Sequence, residues 1–273
     1  MSARDRRNSS DVAASDLDRG RNPESPAHVE YVLRLGDNAL ILGQRLSEWC
    51  GHAPVLEEDL ALANVALDLL GQTRLLLTHA GELEGAGRDE DQIAFLRSES
   101  DYRNVTLVEL PNGDFAQTIA RNLLFSAFTA ELWSALRKSS DAALAEMAQK
   151  SLDETHSHLR HASNWVVRLG EGTAESHARA QAALDFLWPY TAELFTDDAV
   201  DTQVCIGAIA PACSALTPGW LSTITNVLEE ATLRIPDNNA LESRGKAGIH
   251  SEHMAPLLAD LQHLQRTYPS GTW

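Results

Sequence analysis

The chain has 273 residues, 44% of them apolar, and a formal charge of −17 from 39 acidic against 22 basic side chains. That length can bury a large core without covalent staples, while the negative field repels phosphate backbones and anionic headgroups, so neither nucleic acid nor a membrane surface is an expected partner. Cys50, Cys205 and Cys213 are odd in number and lack CxxC or Cys/His spacing, the pattern of free, buried thiols in a reducing cytoplasm.

Residues 1–28 mix Arg, Asp, Ser and Pro with almost nothing large and apolar, and a disordered N-terminal tail is expected there, followed by one helical domain over 29–273. From Val29 to Trp49 apolar residues recur at helical spacing until Gly51-His52-Ala53-Pro54 breaks the run. The second helix opens on Pro54 with Glu57, Glu58 and Asp59 in its first turn, carries the stripe Leu56, Leu60, Ala63, Leu67 and Leu70, and lasts to about Leu83. A short amphipathic piece follows near Ile93 to Leu96, then the turn Leu110-Pro111-Asn112-Gly113.

Asp114 is the expected N-cap of a third helix to about Arg137, and Ser139-Ser140-Asp141 caps a fourth over Ala142 to Leu169. A fifth starts at Thr173 and is broken by Trp188-Pro189; residues 196–216 look irregular; Thr217-Pro218 opens a sixth, and a last helix covers His250 to Arg266. No run alternates with period two, and no uninterrupted apolar run approaches the ~20 residues of a bilayer span. Four long amphipathic helices in two hairpins, with further C-terminal helices, is the layout of an all-α, ferritin-like bundle.

Such bundles hold two metal ions with a carboxylate on each of two helices and a carboxylate-x-x-His pair on each of the other two. The residues here do not complete that set. Asp37 and Asp68 stand on the first two helices, but Gly71, not His, follows Asp68 at three residues; on the fourth helix Asp153 and His156 have the spacing and Glu154 and His158 lie one turn apart. The third helix offers Arg121 and Asn122 at the matching level. No metal ligand is therefore expected in this chain, and Asp37, Asp68, Arg121, Glu154 and His158 are expected as a charge network in a vestigial site, with Arg121 supplying the positive charge a metal would bring. Neither a phosphate-binding glycine loop nor a nucleophile elbow is present.

The segments YVLRLGDNALILGQRLSEWCGHAP (31–54), LEEDLALANVALDLLGQTR (56–74), VELPNGDFAQTIARN (108–122) and GKAGIHSEHMAPLLADLQHLQR (245–266) closely resemble the C subunits of the multicomponent phenylacetyl-CoA 1,2-epoxidase, and the resemblance covers about 30–273. It implies a cytoplasmic, non-catalytic structural subunit in aerobic phenylacetate catabolism. Its implied partners are a catalytic A subunit that holds the di-iron centre and epoxidises the ring, and a small bridging B subunit. It implies no cofactor in this chain, so functional residues would be interface residues: Trp49, Leu76, Phe125 and Trp133 on wide apolar faces, and Lys246, His250 and His253 in the Gly245 to His253 segment, which could also approach the CoA phosphates. The rival reading is a self-sufficient di-iron or di-manganese oxidase using Asp37, Asp68, Asp153 and His156, with Glu131 as the nearest carboxylate on the third helix; a second is a helical storage or adaptor bundle.

Overall fold

Two helical hairpins stack in the computed structural model, which describes residues 25–237, 241–268 and 271. The first pairs α1 (Pro26–Ser47) with α2 (Leu56–Glu84). A crossover carries two short helices, α3 (Glu90–Phe95) and α4 (Thr106–Glu109), to the second hairpin, α5 (Phe115–Leu136) with α6 (Ala142–Gly170). α2 packs on α6, which closes a ferritin-like bundle. Among the described residues no strand forms; Arg244 and Ile249 make one isolated bridge.

Local chemistry accounts for most helix ends. Pro26 sits in the first turn of α1, so the helix starts three residues before the expected Val29 and takes in His28, which is buried. The rest of the expected tail, residues 1–24, lies outside the described residues. Gly85, at φ 67°, ends α2 in the left-handed conformation that costs other residues most, and its N–H bonds the Gly81 carbonyl. The Asp114 and Asp141 side chains accept the N–H groups of Gln117 and Leu144 as N-caps of α5 and α6.

Beyond α6, α7 (Ala174–Leu187) stops where Pro189 opens a 3₁₀ turn over Trp188–Thr191. α8 (Ala192–Phe195) follows, and then α9 (Ala199–Ile206) occupies part of the segment expected to be irregular. Asp198 creates α9 by accepting the N–H groups of Val200 and Asp201, a cap that weak apolar periodicity hid. α10 (Thr217–Glu230) begins at Thr217-Pro218 as expected, and α11 (Met254–Thr267) begins four residues after the expected His250. One continuous core runs from Ile41 and Leu46 through Leu77, Leu123 and Leu144 to Leu184, Ile224 and Met254, so the C-terminal helices share it with the bundle.

Buried carboxylates explain the late start of α11. Glu109 is fully enclosed and accepts from the His250 ring at 2.7 Å, the Ser251 N–H and the Asn104 amide. Glu193 accepts the N–H groups of Thr106 and Lys246. With Lys246, His250 and Ser251 committed to these contacts, the segment stays irregular and helical backbone begins at Met254. Gly245 lies so close to the crossover that an added Cβ would sit 2.2 Å from the Asn104 carbonyl oxygen.

Candidate functional site in the bundle interior

Between the four long helices lies a cavity of about 30 Å³, room for a water molecule or two. Its lining reproduces the di-iron template position by position. α1 presents Asn38 and α5 presents Asn122, while α2 presents Leu69 and Gln72 and α6 presents Thr155 and His158, both pairs three residues apart. No carboxylate lines it, and one imidazole does. Asn38 Oδ1 accepts the Val105 N–H at 2.8 Å, Gln72 donates to Glu154 at 2.9 Å, and His158 Nε2 donates to Asp68 Oδ2 at 3.0 Å. Asn122 Oδ1 and Trp133 Nε1 are buried with no hydrogen-bond partner among the described residues, which leaves the cavity weakly polar.

The expected charge network does not assemble. Asp37 and Asp68 each precede a lining residue by one position, and one residue on a helix is a rotation of about 100°. Asp37 is fully enclosed and forms a two-point ion pair with Arg97, which comes from the crossover beside α3; it also accepts the Arg103 N–H at 2.8 Å. Arg121 is buried but meets neither Glu154 nor Asp68: it donates to the Leu110 carbonyl and to Asn112 Oδ1, both at 2.6 Å. Burial, with Arg45 nearby, pushes its pKa down to about 9. Glu154 is half-buried and pairs with Gln72 and Lys150 at the bundle rim. His158 and Asp68 alone of the five meet each other. Asp153 and His156 face outward and are exposed.

Most of the expected interface residues are engaged within this chain, and only His253 keeps a substantially exposed side chain. Leu76, Phe125 and Trp133 are buried in this chain's own core, and Trp49 is half-buried with its indole N–H on Thr118. Lys246 reaches Asp201 and the Thr196 carbonyl. His250 places both ring nitrogens on acceptors, Glu109 and the Tyr102 carbonyl, and the His253 carbonyl accepts from Arg45. These residues hold the C-terminal segment onto its own chain. Of the cysteines, Cys213 is buried, and burial beside Asp201 pushes its thiol up to about 12. Cys50 and Cys205 are exposed, contrary to the expected burial.

Among the described residues, α2 carries a row of exposed leucines. Leu56, Leu60 and Leu67 are 70%, 57% and 65% exposed, with Leu75 further along. Their spacing puts the first three within about 40° of one another on one side of the helix. These three belong to the helical stripe read from sequence; the buried face is another one, Leu62, Ala66, Leu69, Leu76 and Leu77. An 18-residue window of α2 is apolar enough by composition to cross a membrane, yet only 39% of it is buried.

A ferritin-like helical bundle whose ligand positions carry amides, a leucine, a threonine and one imidazole is the class of protein that this fold and site define. The chain belongs to the family described as phenylacetic acid catabolic protein, which matches residues 10–273. It is similar to the C subunit of the 1,2-phenylacetyl-CoA epoxidase of Escherichia coli (strain K12), with 47% identity over 243 residues, 89% of this chain and 98% of that relative. Arg97, Glu109 and Glu193 escaped the sequence reading because nothing in their local spacing marks them. Asn122 lies at the level the sequence indicated for the third helix, whereas Asn38 stood next to Asp37, the residue taken for the first.

Proposed function

We propose that this chain is the non-catalytic structural subunit of a cytoplasmic, multicomponent di-iron oxygenase that epoxidises the ring of phenylacetyl-CoA. It pairs with a ferritin-like catalytic A subunit and with a small bridging B subunit. The observation that carries the reading is the cavity lining: two ferrous ions need several anionic ligands, and Asn38, Leu69, Gln72, Asn122, Thr155 and His158 supply none. These residues do not fit a di-iron centre, and the chemistry is assigned to the partner. The likeness to the C subunit of an epoxidase supplies the reaction and substrate class.

The exposed leucines of α2 support the pairing, because obligate interfaces resemble a domain core cut in half. A catalytic partner built on the same bundle would present a helix of matching pitch to lie along Leu56, Leu60 and Leu67. The rival oxidase reading has less support: Asp37 is held by Arg97, and Asp153 and His156 point to solvent. Iron analysis of the chain purified alone after growth in excess iron tests the proposal. The expected result is fewer than about 0.1 iron per chain, against the two of a working site. Two irons that disappear in His158→Gln would make this chain the catalyst.

A further inference from the structure

A second cluster, remote from the bundle interior, joins three elements at one end of the molecule. His28 lies in the first turn of α1, His79 near the end of α2, and Asp141 at the N-cap of α6. His28 Nε2 and His79 Nε2 both meet the same carboxylate oxygen, Asp141 Oδ2, at 2.8 and 2.6 Å, and the three side chains are 6–8% exposed. We propose that His28, His79 and Asp141 form a binding site for a divalent transition metal of the zinc class.

Ligand chemistry favours this cluster over the other buried carboxylates. Asp37 is neutralised by Arg97, and Asp201 by Arg34 and Lys246, so the Asp197, Asp201 and Cys213 group already holds its cations. Among the described residues no Arg or Lys reaches Asp141, whose second oxygen is fixed by the Leu144 N–H. That cap bond orients Oδ2 toward the imidazoles as an outer partner orients a metal ligand. The three donor atoms lie within 4.8 Å of one another, and two nitrogens with one oxygen suit zinc, cobalt or ferrous iron and not magnesium or calcium. Metal–ligand bonds of about 2.0–2.2 Å require the two contacts to open by roughly half an ångström, with the ion replacing the shared Nε2 protons. A water would complete a tetrahedron.

The site would clip the start of α1 to α2 and α6. It is separate from the interior: His79 is seven residues beyond Gln72, about 10 Å along α2.

The test uses the full chain, stripped with chelator and titrated with zinc chloride near neutral pH, with magnesium chloride as control. Expected are uptake of about one zinc per chain, a raised thermal midpoint, and at least about tenfold weaker binding in His79→Gln and Asp141→Asn, but not in His158→Gln. Absence of stoichiometric uptake by the wild type overturns the proposal, as does full uptake by both variants. If either variant fails to fold, nitrogen-15 NMR of the wild-type histidines decides: zinc must shift the Nε2 resonances of His28 and His79, and unmoved signals overturn the assignment.

Discussion

Asp37 has no exposed surface, and its charge is balanced by Arg97 from the crossover. Removing one member of a buried ion pair strands the other, so Asp37→Ala should destabilise the chain by about 3–5 kcal/mol in urea unfolding. An effect below about 1 kcal/mol would mean that Arg97 finds water. His250 makes a pH-dependent contribution. Both of its nitrogens face acceptors, an arrangement that favours the doubly protonated ring. Burial opposes that charge, and the hydrogen bond and field of Glu109 outweigh it, so the pKa is raised. A raised histidine pKa gives stability that is fully present below the unfolded value near 6.5 and lost as pH climbs through the folded value. The thermal midpoint of His250→Gln should therefore fall furthest below wild type at about pH 5.5, with the gap narrowing by about pH 9. A gap that widens with pH would contradict the pairing. At this scale the sequence was least informative, since the partners of Asp37 and His250 lie 60 and 141 positions away.

α2 is apolar on two sides, and periodicity cannot say which side faces in. The stripe Leu56, Leu60 and Leu67 has helical spacing as regular as that of the buried set, yet α1 and α6 cover the other face. The free side gives a clean test: Leu60→Asp should leave stability within about 0.5 kcal/mol, because the residue is 57% exposed, and should abolish co-purification with the catalytic partner. Retained co-purification would move the interface off this face. Residues with strong local signals, such as Asp114, Asp141, Pro189 and Pro218, ended or began helices where the sequence indicated. α9 and the start of α11 did not follow local signals: one depends on a cap in a polar stretch, and the other on Glu109 and Glu193 holding the preceding segment.

For the whole molecule, the helical layout and the family follow from the chain alone. Four long amphipathic segments broken by Gly, Pro and capping residues leave few ways to bury their faces other than two stacked hairpins. That the long helices do not carry the full set of carboxylate-x-x-His pairs was also legible by counting. Which residues line the interior was legible only for Asn122 and His158. Asn38, Leu69, Asn122 and Thr155 face the interior, while their charged neighbours Asp37, Asp68 and Arg121 turn to the crossover, the rim and the Leu110 turn. Helix rotation about its axis, at 100° per residue, is set by packing and not by local sequence. For the same reason only the tertiary structure brought His28, His79 and Asp141 onto one oxygen, since 113 positions separate the first from the last and no spacing rule spans such a distance.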